Sequence, residues 1–152
     1  MTDSSLPQST RIGPGSVSAR RTGTRTYEGS NERGDVVLIG PADAPGHFTP
    51  GELLKLALAG CAGMSSDHTI ARRLGDDYET TIWAHGQSDP AENRYKEVDE
   101  EILLNLDSLT EDEITKLLSV IRASIDRSCT VARSVTGSID LEKSVNGIPL
   151  PH

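Results

Sequence analysis

The segment FTPGELLKLALAGCAGMSSDHTIARRLG, residues 48–75, constrains the fold most. Thr49 is a good N-cap, Pro50 suits the first helical position, and Glu52 falls three residues after Thr49 to complete a capping box. Gly75 stops the helix, with Arg72 and Arg73 favourably placed in its last turn. The first half is apolar or small on every face, a pattern that predicts a buried helix rather than a surface one. Gly60 and Gly63 each cost about 1 kcal/mol relative to Ala in a helix interior. Close approach by another backbone is the expected compensation.

The rest of the chain must supply strands to cover such a helix. Before it, Ser16–Gly23, Tyr27–Ser30 and the apolar run Asp35–Gly40 (DVVLIG) read as strands broken by turns. After it, Tyr78–His85 places Tyr78, Thr80, Ile82 and Ala84 on one side, and Val98–Leu106 places Val98, Ile102, Leu104 and Leu106 on a common side. A second helix opens at Thr110 with Glu113 as its box partner and buries Ile114, Leu117, Leu118, Ile121 and Ile125. Cys129 falls just past its periodicity, in DRSCTVARSV. A last strand, Val135–Glu142, turns Val135, Gly137, Ile139 and Leu141 inward. This order predicts an α+β fold: N-terminal strands, long central helix, strands, second helix, final strand. Residues 1–15, rich in Ser, Pro, Gly and Thr, are expected as a flexible tail, 16–145 as a single domain and 146–152 as a C-terminal tail.

Composition narrows the function. The 152 residues suffice for a hydrophobic core without disulfides or metals. Fifteen basic residues against 23 acidic ones give a net charge of −8, which argues against nucleic acid or an anionic membrane as partner. Five aromatic residues are too few for a stacking platform for bases or flavin rings. The longest stretch without a charged side chain, Leu56 to Ser66, falls short of the roughly 20 residues that span a bilayer. The N-terminal MTDSSLPQSTRIGPG carries no apolar secretory core, so the expected compartment is the cytoplasm. The acidic clusters EVDEE (Glu97 to Glu101) and TEDE (Thr110 to Glu113) are read as solvated surface and helix-start charge.

Two cysteines remain, Cys61 and Cys129, 68 positions apart. Two buried hydrophobes are the bland reading of such a pair in a reducing compartment. Cys61 sits mid-helix, where a thiol ordinarily has a raised pKa and is inert. Peroxide chemistry needs a thiolate near neutral pH, hence a nearby cation, and a buried cation needs an anion. Arg suits that task. Arg20, Arg21, Arg25 and Arg33 in the N-terminal strands are candidates, and Glu52, nine residues before Cys61, is the candidate carboxylate.

PGELLKLALAGC, followed about 70 residues later by a helix ending in Cys-Thr-Val, resembles the OsmC/Ohr family of cytoplasmic thiol peroxidases, its P-x-E-L-L branch in particular. In that family a proline opens a central helix and a reactive cysteine lies eleven residues on, as Pro50 and Cys61 do here; a second cysteine follows, usually in a Cys-Pro-Val context that Cys129–Val131 approximates. The resemblance covers roughly Ser16 to Glu142. It implies an intertwined homodimer with sites at the dimer interface, reducing organic or fatty hydroperoxides without metal or organic cofactor. Cys61 would be the peroxidatic thiol and Cys129 the resolving thiol, joined as a disulfide that a dithiol reductant, such as a lipoylated protein, reopens. Arg25 would stabilise the thiolate, with Arg21 in reserve, and Leu54, Leu58 and Met64 would favour organic peroxides. Many members carry the Arg-binding Glu directly after the proline. Gly51 stands there in this chain, and a one-residue shift rotates a helical side chain by about 100°. Glu52 is therefore either the carboxylate partner of the arginine or only the capping-box residue.

Two other readings compete. A non-catalytic relative would hold a small apolar ligand in the interfacial cavity while both thiols stay unreactive. A metal site would use Cys61 and His68, seven apart on one helical face, with His47 and His85 as spare ligands, although zinc sites usually show tighter paired spacings.

Overall fold

The computed structural model describes residues 5–152. The chain divides into two compact units, one ending at Glu52 and one running from Leu53 to His152.

In the first unit, β1 (Val17–Gly23), β2 (Thr26–Asn31) and β3 (Val36–Ile39) form an antiparallel sheet in chain order. Thr24 and Arg25 make the turn between β1 and β2, with Arg25 at φ 58°, a left-handed conformation unusual for a residue with a Cβ. Gly29 is buried in β2, where an added Cβ would lie 3.0 Å from Val37 Cγ1. All of β1 except Gly23 is exposed. Phe48 bridges to Ile39, donating its N–H to Leu38 O at 2.8 Å. That contact sets Thr49 at the mouth of α1 (Pro50–Leu74). The expected capping box forms there: Glu52 N–H donates to Thr49 Oγ1 at 3.1 Å, and Thr49 N–H donates to Glu52 Oε1 at 2.8 Å.

The second unit holds the rest of α1 together with β4 (Thr80–His85), the short ladder β5 (Ser88–Asp89) and β6 (Arg94–Tyr95), then β7 (Glu97–Leu104), α2 (Glu111–Ser128), α3 (Thr130–Val135), β8 (Asp140–Val145) and β9 (Ile148–Pro149). The main sheet runs β4-β7-β8-β9. Its β7–β8 pair is parallel and therefore needs a long crossover, which α2 and α3 supply. The second capping box closes at Thr110 and Glu113. Leu58, Ala62 and Ile70 of α1, Val98 and Ile102 of β7, Leu117, Ile121 and Ile125 of α2, and Cys129 belong to one buried cluster. The α+β order expected from the sequence is the order observed.

Four expectations are corrected. The first half of α1 is not buried all round: Leu58, Ala59 and Ala62 are sealed, but Leu56 is 52% and Met64 84% exposed. Gly63 makes room for a side chain, Ile82, and not for a backbone, while among the described residues no atom outside the helix lies within 4 Å of where a Cβ on Gly60 would be. The last strand starts at Asp140, because Thr130–Val135 forms a short helix (Arg133 N–H to Cys129 O at 3.1 Å) before a turn at 136–138. The segment 146–152 is not a free tail: β9 pairs with β8, and Leu150, 3% exposed, donates its N–H to Lys143 O at 3.0 Å. Among the described residues no helix is long and apolar enough to cross a membrane.

Candidate active site

The fold brings the two cysteines of the sequence together. Cys61 projects from mid-α1, partly buried, while Cys129 is fully buried at the junction of α2 and α3. Both are free thiols, joined side chain to side chain by a hydrogen bond. The backbone of Cys129 is extended (φ −80°, ψ 92°), which ends one helix and starts the next. Its N–H still donates to Ile125 O at 2.8 Å. The N–H groups of Thr130 and Val131, in the first turn of α3, have no partner within that helix. They donate to the sulfur of Cys61.

The two thiols are pushed in opposite directions. Burial raises the Cys61 thiol, but donors from Cys129, the Val131 amide, the Ser65 hydroxyl and the Thr130 amide outweigh it and hold Cys61 below the ordinary thiol value. Burial raises Cys129 too, and there the hydrogen bond given to Cys61 adds to it. The Ala132 amide works against the rise, and the charges of Cys61 and Glu100 reinforce it, leaving Cys129 at about 11. Of the two thiols, Cys61 is therefore the easier to ionise. Within this unit the groups that lower the Cys61 thiol are all neutral donors.

One group escaped the sequence reading. Glu100, assigned to a solvated acidic run, is 1% exposed on the inward face of β7, beside Lys143 of β8 with Nζ–Oε2 at 3.6 Å. The signal was present, since Val98, Ile102 and Leu104 share the parity of residue 100.

Arg25 is exposed at the β1–β2 turn, and Arg21 is exposed on β1 opposite Tyr27. Glu52 is a capping residue. Leu58 is sealed in the core, Leu54 packs on that core, and Met64 lines an open groove of about 580 Å³ with Leu56, Gly60, Gly63 and Ile82. Leu54 and Leu58 thus share the cluster on which Cys61 packs, and Met64 stands apart from it. His85 is engaged by Glu101 at 2.8 Å and His47 by Pro45 O at 2.9 Å. Among the described residues no group of three or more His, Cys, Asp or Glu is placed to hold a metal ion.

The sequence matches the model of the OsmC-like protein family over residues 41–144, which include both cysteines and all of α1, α2 and α3. The chain belongs to the OsmC-like family. Uncharacterized proteins of Mycobacterium tuberculosis and Mycobacterium bovis are 50% identical to it over 115 residues, 76% of this chain and 84% of theirs. The fold is shared with the organic hydroperoxide resistance protein OhrB of Bacillus subtilis (TM-score 0.59, 18% identity, 86% of this chain and 96% of that one). It is shared also with an OsmC-like protein of unknown function from Vibrio cholerae (TM-score 0.61, 15% identity, 86% and 97%). In this OsmC-like chain the two thiols meet through the α2–α3 junction, which lies wholly inside the matched region.

Proposed function

We propose that this protein is a two-cysteine peroxidase that reduces organic hydroperoxides. The observation that carries the reading is the hydrogen-bonded thiol pair, with Cys61 held below and Cys129 held above the ordinary thiol range. The thiolate of Cys61 attacks the terminal peroxide oxygen, and the O–O bond breaks. The alkoxide leaves and takes a proton to become the alcohol, and Cys61 becomes a sulfenic acid. Cys129 attacks that sulfur, water departs with the thiol proton, and a Cys61–Cys129 disulfide remains. An external dithiol, lipoylated protein being one class, restores both thiols by exchange.

The protein acts as a homodimer in this reading. Its support is the exposed face of α1, where Leu56, Gly60 and Met64 would otherwise present apolar surface to water, and a β1 strand exposed along nearly its whole length. Arg25 is the cation proposed to polarise the leaving oxygen, with Arg21 as reserve. Loss of the guanidinium in Arg25→Ala is expected to lower kcat/KM about tenfold or more, against less than about twofold for Arg21→Ala, where ordinary surface change is the expectation. Equal rates in the two variants would remove Arg25 from the mechanism.

The deciding experiment is intact-mass analysis of the reduced protein before and after one equivalent of cumene hydroperoxide, beside Cys61→Ser. Rapid loss of two hydrogens in the wild type, absent in the variant, is the expected result. No change over minutes would sink the peroxidase and leave the apolar-ligand reading.

A further inference from the structure

The two sulfurs differ in one respect that hydrogen bonding does not touch, their access to solvent. Cys129 is 0% exposed and belongs to the buried cluster with Val98, Ile102, Leu117, Ile121 and Ile125. The α2–α3 junction fixes it there: its N–H donates to Ile125 O at 2.8 Å, and its C=O accepts from the Arg133 N–H at 3.1 Å. Cys61 packs against the same cluster and is partly exposed on α1. Because the thiols are already in hydrogen-bond contact, closing the disulfide joins two neighbouring atoms, and the asymmetry of access passes to the oxidised protein.

Thiol–disulfide exchange depends on which sulfur is attacked, on access to it and on the thiol that leaves. Here the last two oppose each other. Leaving-group chemistry favours attack on Cys129, since Cys61 would then depart as the easier thiolate. Access favours attack on Cys61. An incoming thiolate must approach from the side opposite the breaking bond, and around Cys129 that space is core, so the segment would first have to open. With a leaving-group sensitivity of about one half, each two pKa units between the thiols change the rate about tenfold. Packed core, by contrast, is open in about one molecule in a thousand or fewer, so access wins. We propose that the reducing dithiol enters at Cys61: its first thiolate bonds to the Cys61 sulfur, the Cys61–Cys129 bond breaks, and Cys129 leaves with the electron pair and takes up a proton inside the core. The dithiol's second thiol then gives up its proton and attacks the sulfur that the first has placed on Cys61. The dithiol closes into its own disulfide, losing the two electrons that the protein gains, and Cys61 departs as the thiolate. The donors from Val131, Ser65 and Thr130 assist that departure. The inference rests on the two-cysteine reading of the site and carries it into the reductive half of the cycle.

The test uses the wild-type chain and no peroxide. Diamide oxidises the reduced protein, and peptide mapping verifies the Cys61–Cys129 bond. Reduction by dithiothreitol is then followed by intact mass after acid quenching. Attack on an accessible sulfur is expected to give a rate proportional to dithiothreitol over about a hundredfold range, whereas attack that waits for the core to open levels off at the opening rate. The sulfur attacked is read with excess 2-mercaptoethanol, quenched by acid before about a tenth of the disulfide has reacted, then unfolded and alkylated with N-ethylmaleimide. Mercaptoethanol on Cys61 with maleimide on Cys129 is expected in about tenfold or greater excess over the reverse. A plateau in the first measurement, or mercaptoethanol equally or mainly on Cys129 in the second, overturns the proposal. A disulfide that forms with diamide and not with cumene hydroperoxide sinks the peroxidase reading and leaves this inference to the two measurements. Failure of diamide to join the two sulfurs sinks both.

Discussion

Cys61 and Cys129 are the same chemical group, and both lie largely out of water, yet one is acidified and the other is pushed to about 11. Burial acts on both in one direction. What separates them is the hydrogen bonding: Cys61 receives from Cys129, Val131, Ser65 and Thr130, whereas Cys129 gives to Cys61 and receives from the Ala132 amide. Desolvation sets how much is at stake, and the direction of the hydrogen bonds decides which sulfur holds the charge.

The largest break in that comparison is removal of one member. In Cys129→Ser the first equivalent of peroxide is still expected to be consumed, but the sulfenic acid has no partner. A second equivalent should then carry Cys61 to the sulfinic acid, seen as a mass gain of two oxygens in place of a loss of two hydrogens. Next in size is the pH dependence. A lowered pKa leaves Cys61 partly ionised at pH values where an ordinary thiol is protonated, so its alkylation should persist below the usual thiol range and be lost only as pH falls through its own value. Cys129 should stay unlabelled until the pH nears 11. Site-resolved iodoacetamide rates check both arms, and similar profiles at the two sulfurs would dissolve the distinction. The smallest effect sharpens it. Ser65→Ala removes one neutral donor, worth about 1 kcal/mol, and should raise the Cys61 midpoint by less than about one pH unit with no movement at Cys129.

Much of this was legible in the sequence wherever local rules and burial agree. Thr49–Glu52 and Thr110–Glu113 announced both helix starts, and Gly75 announced the end of α1. Val135–Glu142 was misplaced because its alternation of Val, Gly, Ile and Leu fits a strand, whereas Val131 and Val135 are four apart and fit a turn of helix equally well. Glu100 was missed because a charge in an acidic run is usually solvated, and here a register partner 43 positions away supplies its counter-ion. The exposed stripe of α1 could not be told from a core stripe, since Leu56, Gly60 and Met64 have the composition of an interior. Of the site, sequence indicated both sulfurs. The amides facing Cys61 carry no sequence signature, because every residue but proline has one.

That last point bears on how such a site would look to mutagenesis. Two of the four donors to Cys61 are peptide N–H groups of Thr130 and Val131. An alanine scan keeps both N–H groups and so would overlook them, although ionisation of Cys61 leans on them. Thr130→Pro is the informative change: at the first position of a helix proline is conformationally welcome, so it deletes one N–H while keeping the turn. A raised Cys61 midpoint in that variant, against none in Thr130→Ala, would register a contribution that side-chain scanning is built to overlook.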